Sequence, residues 1–135
     1  MAVLDTNVLI RYLANDNVDH SPRALRYLQS IEAGQGTVYL PEGVFIETVL
    51  VMISEMYRKD REEVRRRLRP ILAMPGIEMN HKRSYNLALD IFVDYPRLSI
   101  VDSICAAHSD RYDDKTVITF DRGFRNVPGV IREEP

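Results

Sequence analysis

Short apolar runs alternate with longer stretches of helical periodicity along the whole chain, and this alternation restricts the fold more than any other feature. Ala2 to Asp5, Thr37 to Leu40, Ile77 to Met79, Thr116 to Phe120 and Val130 to Arg132 read as strands. The segments between them read as helices. Thr6 to Leu13 forms a short one, and Ser21 followed by Pro22 starts another that runs to about Ala33, with Gly34 and Gly36 as stop signals. Pro41 opens a helix that ends near Tyr57. Asp60 and Glu63 form a capping box for the next, which Pro70 should bend or shorten. Tyr85, Ala88, Leu89 and Phe92 mark a helix face stopped by Pro96, and Ser99 caps a helix through roughly Tyr112. Neighbouring parallel strands require a crossover, usually a helix. The pattern therefore predicts an α/β fold with a central, mostly parallel sheet of about five short strands flanked by helices on both faces. The chain of 135 residues shows no repeat and no linker, so a single domain over 1–135 is expected.

Acidic residues stand at informative places in this pattern. Asp5 ends the first apolar run, Asp121 ends the run Val117–Phe120, and Asp102 follows Ile100 and Val101 at the start of a helix. Glu47 interrupts Val44 to Ile53, which is apolar almost all round the helix and so is expected to be buried. In parallel α/β sheets, ligands gather outside the carboxyl ends of the strands, and all four acids belong to that edge. A cluster of carboxylates from four separate segments suits a hard divalent cation, magnesium or manganese, rather than zinc. Each acid also has a structural reading. Asp5 can cap the helix from Thr6, Asp102 can complete a capping box with Ser99, Asp121 can cap the turn to Phe124, and Glu47 can pair with a buried arginine. These readings are compatible with metal binding, since a cap residue can also be a ligand. Asn7 and Thr119 flank Asp5 and Asp121 at two residues' distance and can support a carboxylate, a water or a phosphate oxygen.

Composition limits the function classes. Hydrophobic residues make up 45% and charged residues 28%, as in ordinary globular domains, and no apolar stretch approaches the roughly 20 residues of a membrane span. No secretory signal is visible, and the single cysteine, Cys105, reads as a core thiol, so a cytoplasmic location is expected. The histidines His20, His81 and His108 show no zinc spacing, and His108 reads as a core histidine. The net charge of -2 does not announce nucleic-acid binding, but Arg58, Lys59, Arg61, Arg65, Arg66, Arg67 and Arg69 crowd one region. They form either a solvated helix face with internal ion pairs or a phosphate-attracting rim, with Arg65, Arg66 and Arg69 the candidates for guiding RNA.

Four segments together resemble the PIN-domain nucleases. They are Val3-Leu4-Asp5-Thr6-Asn7-Val8-Leu9, Phe45-Ile46-Glu47-Thr48-Val49, Ser99-Ile100-Val101-Asp102-Ser103-Ile104 and Thr119-Phe120-Asp121-Arg122-Gly123-Phe124, followed by Val127-Pro128-Gly129-Val130. Each motif is weak alone; the ordered set is specific and spans nearly the full length. The resemblance implies an endoribonuclease that hydrolyses phosphodiester bonds with magnesium or manganese. It implies Asp5, Glu47, Asp102 and Asp121 as catalytic, metal-holding acids, with Asn7 and Thr119 in support. Size and pattern are similar to the VapC-like toxins of toxin–antitoxin pairs, which implies a homodimer silenced by a cognate antitoxin. The third motif departs from the commoner pattern in having Ser103 rather than alanine after the acid. Other readings are a metal-dependent DNA nuclease or phosphatase, a phospho-receiver module, and a catalytically silent PIN-type interaction module. Asn7 stands where an aspartyl-phosphatase would want a second aspartate, and the closing motif lacks the lysine of a receiver.

Overall fold

The computed structural model describes all residues from Met1 to Pro135. Five strands and six α-helices follow in the order β1 (Ala2–Val3), α1 (Thr6–Ala14), α2 (His20–Glu32), β2 (Val38–Tyr39), α3 (Glu42–Ile53), α4 (Arg61–Ala73), β3 (Ile77–Glu78), α5 (Lys82–Asp94), α6 (Ile100–Ser109), β4 (Thr116–Ile118) and β5 (Ile131–Glu133). A 3-10 turn, Arg122–Asn126, lies between β4 and β5. The chain divides into two compact units, Met1–Lys82 and Arg83–Pro135.

In the first unit β1, β2 and β3 form a parallel sheet in that order. Ala2 pairs with Val38 and Val3 with Tyr39, while Val38 pairs with Ile77 and Tyr39 with Glu78. The ladder continues past β1, where Leu4 donates its N–H to the Tyr39 carbonyl at 2.8 Å. Leu4, Val38, Leu40 and Ile77 are buried, whereas Ala2 and Val3 are exposed, so β1 is not the fully buried strand that its composition predicts. Gly76 is required at the entry to β3, since a Cβ there would stand 2.6 Å from the Gly36 carbonyl oxygen and 2.7 Å from Ile31 Cγ2. Helix α1 packs on α2 and α3, and α3 packs on α4. The residues turned inward are Leu9 and Leu13 of α1, Leu28 and Ile31 of α2, Phe45, Val49 and Met52 of α3, and Val64, Leu68 and Ile71 of α4, each set at helical spacing.

In the second unit β4 pairs with β5 in parallel, Thr116 with Ile131 through Ile118 with Glu133. The five expected strands are all parallel, but they are divided between a three-stranded and a two-stranded sheet. Ala88, Leu89 and Phe92 of α5, with Leu98, Ile100, Ala107 and Phe124, are among the buried apolar residues here. His108, expected in the core, is only half-buried; it meets the Tyr85 ring edge to face at 5.6 Å. Cys105 is exposed, contrary to the core position expected, because α6 buries Ser103, Ile104, Ala106 and Ala107 and turns residues 101 and 105 outward.

Several boundaries differ from the sequence reading for local reasons. Helix α2 begins at His20, and its first N–H groups are received by Asn17: the Asn17 side-chain oxygen accepts from His20 at 2.7 Å and Asp19 at 3.1 Å. Ser21, the expected cap, is buried and its hydroxyl accepts from the Asn17 N–H instead. Helix α3 stops at Ile53 rather than Tyr57, and α6 at Ser109 rather than Tyr112. Helix α4 runs through Pro70 to Ala73 with the ring on its exposed side. The Asp60 side chain caps α4 by accepting from Glu63 N–H at 2.8 Å, but the Glu63 carboxylate is spent on Lys59, Arg66 and Arg67 and does not complete the capping box.

Candidate functional site

Asp5 is held where β1 turns into α1. Its backbone is extended (φ -97°, ψ 156°), and Oδ2 accepts the Asn7 N–H at 3.4 Å, so it caps the helix and keeps Oδ1 uncommitted. Asp5 and Asn7 are both exposed and both line a groove of about 680 Å3. The wall opposite them comes from one face of α2, where His20, Arg23 and Tyr27 follow each other at helical spacing, and Arg11 stands one turn beyond Asn7 on α1. Arg11 Nη1 donates to Asp16 Oδ1 at 3.0 Å, and the other oxygen of Asp16 accepts from the Tyr57 hydroxyl at 2.8 Å. Asp19 lies 3.5 Å from His20 and 3.6 Å from Arg23. None of Arg11, Arg23 and Tyr27 was singled out by sequence. The signal was present as two helical faces, 7/11 and 20/23/27, but it was diluted among the other charges.

Glu47 is exposed, not buried, and makes no ion pair. The composition of α3 is apolar all round, yet only one stripe turns inward: Phe45, Thr48, Val49 and Met52. Glu47 falls on the open side with Leu50, which is 48% exposed. The Thr48 hydroxyl, fully buried, is satisfied by donating to the Val44 carbonyl at 2.7 Å. A carboxylate in that position reaches water without the desolvation cost that its neighbours suggest.

The second unit fixes Asp102 and Asp121. Ser99 Oγ accepts the Asp102 N–H at 3.1 Å and Asp102 Oδ2 accepts the Ser99 N–H at 3.0 Å, a complete capping box on α6. Asp121 caps the 3-10 turn, its Oδ1 accepting from Gly123 N–H at 2.7 Å. Thr119 Oγ1 accepts the Asp121 N–H at 2.9 Å. Arg132, on β5, secures the same loop from behind: Nε donates to the Asp121 carbonyl at 2.8 Å and Nη2 to the Phe120 carbonyl at 3.0 Å. A Cβ on Gly123 would stand 3.0 Å from Asp121 Oδ1, so the small residue leaves the carboxylate its place.

All three aspartates therefore take the capping role that their local sequence offers, each through one carboxylate oxygen. Asp5 and Glu47 belong to the first unit, Asp102 and Asp121 to the second, and within neither unit do three His, Cys, Asp or Glu side chains form a group able to hold a metal ion. The donor chemistry nevertheless suits a hard cation, being all oxygen and open to solvent. The α4 arginines have nearby partners: Arg65 pairs with Glu62 at 2.7 Å and Arg66 with Glu63 at 3.4 Å, while Arg69 is half-buried and also engaged. No helix is long and apolar enough to cross a membrane.

No curated protein matches the chain. The family model of the PIN domain matches residues 2–130, and the chain belongs to that family, whose fold is of nuclease type.

Proposed function

We propose that this PIN-domain chain is a metal-dependent endoribonuclease that hydrolyses RNA phosphodiester bonds, with Asp5, Glu47, Asp102 and Asp121 as its acids. The observation that carries the reading is that the family match takes in all four, and that each presents carboxylate oxygen to solvent instead of being consumed in an ion pair. These residues would hold magnesium or manganese. The cation supplies charge neutralisation at the phosphate and activation of water for attack. The chain's own part is to hold the carboxylates still. Capping does this for Asp5, Asp102 and Asp121, since each has one oxygen tied to a backbone N–H and the other left over. Thr119 and Arg132 do it for the Asp121 backbone. The further parts of the proposal are a toxin role beside a cognate antitoxin, a homodimer and a cytoplasmic location; these rest on the resemblance to VapC-like toxins.

The test is cleavage of a labelled single-stranded RNA by the full chain with magnesium, with manganese and with EDTA, beside Asp5→Asn. Metal-dependent cleavage lost in the variant supports the activity and its site together. Equal cleavage by Asp5→Asn would sink the site assignment. Absence of both cleavage and calorimetric metal binding would favour a silent interaction module. A single-stranded DNA of the same sequence distinguishes the ribonuclease from a deoxyribonuclease.

A further inference from the structure

We infer that the groove beside Asp5 is a single-stranded RNA subsite, in which Arg11 and Arg23 hold a backbone phosphate and Tyr27, with the apolar lining, holds the adjoining base. The inference deepens the proposed nuclease reading and rests on it, since it takes the strand being cut as the ligand. Four observations support it. The groove, about 680 Å3, is of the size that takes a small organic ligand and is built wholly within residues 1–82. Its lining includes apolar Val8 and Ala24, and the aromatic residue Tyr27, which also lines it, is 38% exposed. Three of its side chains are basic: Arg11, His20 and Arg23. Asp5 lies in the same groove, so a strand seated there is already beside one of the acids assigned to the chemistry.

The state of the two arginines fits this use. Arg11 is steadied through Nη1 by Asp16, which Tyr57 holds in turn, and its side chain still lines the groove. Arg23 is largely exposed and its pair with Asp19, at 3.6 Å, is long; such surface pairs contribute little, so a phosphate can take the guanidinium over. Cations beside an aromatic residue and apolar lining match the two parts of a nucleotide, and this combination is how single strands are held without sequence preference. An acidic peptide would match the cations but leave the aromatic residue unexplained. The basic residues of α4 are less suited, since Arg65 lies against Glu62 at 2.7 Å and Arg67 against Glu63 at 2.8 Å, both on their own helix.

The experiment is fluorescence anisotropy of a labelled single-stranded RNA with the full chain in EDTA, where the strand stays whole, over a salt series. Arg11→Gln, Arg23→Gln, Tyr27→Phe and Tyr27→Leu are compared with Arg26→Gln, an equal charge change at an exposed residue of α2 that does not line the groove, and thermal unfolding checks that each is folded. The inference expects Arg23→Gln to weaken binding about fivefold at low salt and to lower the salt slope by roughly one. Tyr27→Leu weakens binding about tenfold and Tyr27→Phe keeps it. Arg26→Gln changes it less than about twofold. Groove variants that bind and cut RNA as the wild type does would overturn the subsite and leave the nuclease reading intact. Loss of oligo-glutamate binding in the arginine variants, with RNA binding unchanged, would overturn it in favour of a peptide groove. A wild type that neither binds nor cuts RNA removes the nuclease reading, and the subsite with it.

Discussion

Replacing Asp102 by asparagine separates the helix cap from the chemistry. Asp102 Oδ2 accepts the Ser99 N–H at 3.0 Å, and Ser99 Oγ accepts in return at 3.1 Å. Helix α6 runs only from Ile100 to Ser109, short enough that its end groups matter. Asparagine keeps an oxygen to accept from Ser99 but loses the negative charge in the first turn. That charge is worth about 0.3–1 kcal/mol, and the half-exposed position puts it near the lower end, about 0.5 kcal/mol. Ser99→Ala removes the Oγ acceptor and costs about 1 kcal/mol. For a chain of 135 residues these convert to falls in Tm of roughly 2 °C for Asp102→Asn and 4 °C for Ser99→Ala. The proposed activity responds in the opposite order: Asp102→Asn abolishes RNA cleavage, while Ser99→Ala keeps most of it. The assays are thermal unfolding in EDTA and cleavage of labelled RNA in magnesium. From sequence alone, removing one of several clustered carboxylates is expected to relieve repulsion and stabilise the metal-free protein. A rise in Tm for Asp102→Asn in EDTA would therefore refute the capping argument.

The remaining expectations concern other parts of the chain. Gly76→Ala drives a Cβ to 2.6 Å from the Gly36 carbonyl oxygen and should cost about 2–3 kcal/mol by urea denaturation, whereas Gly43→Ala, where a Cβ meets nothing, should not destabilise. Asp16 is held below the ordinary carboxylate value of 3.8, first by the Tyr57 hydroxyl, and Tyr57 is raised above 10.0, first by Asp16. Their bond thus contributes stability fully between these values; it is lost as pH falls below 3.8 and as pH rises above 10.0. Tyr57→Phe should remove its share of both limbs from a pH–stability profile, and an unchanged profile contradicts the pairing. Cys105 is an exposed residue whose thiol is partly shielded from water; that desolvation, and secondarily Asp102, push it above 9.0, so Ellman's reagent at pH 8 should modify it more slowly than free cysteine, and Asp102→Asn should quicken the reaction. Arg132→Gln removes the donors to the Phe120 and Asp121 carbonyls and should lower kcat for RNA about tenfold with little change in KM, with Arg132→Lys restoring only part.

What the sequence shows well is whatever depends on local pattern. The order of strands and helices, the Ser99–Asp102 box and the capping positions of Asp5 and Asp121 are all set by residues close together in the chain. What it shows poorly depends on which side of an element meets the rest of the protein. Glu47 and Cys105 sit among apolar neighbours, so composition places them inside; α3 and α6 each bury a single stripe that excludes them. Ser21 and Asn17 are both good caps, and only the path of the preceding loop decides that Asn17 receives the helix N–H groups. The division into three strands and two follows from lateral pairing, which no local pattern encodes.

The same distinction explains why the conspicuous and the useful cations differ. The α4 arginines are dense in sequence, and that density comes with Glu62 and Glu63 one turn away, so the helix satisfies much of its own charge. Arg11 and Arg23 are separated in sequence by a loop and a helix start, and neither looks like part of a patch. The packing of α1 on α2 sets them along one groove with Asp5. Their partners, Asp16 and Asp19, come from the connecting loop; Asp16 holds Arg11 at 3.0 Å and is itself held by Tyr57, whereas Asp19 lies 3.6 Å from the more exposed Arg23 and also faces His20. Arg11 is therefore the fixed member of the pair and Arg23 the adaptable one. For a strand that must be gripped and then released, one steady and one yielding guanidinium is a better arrangement than a row of arginines locked to their own glutamates.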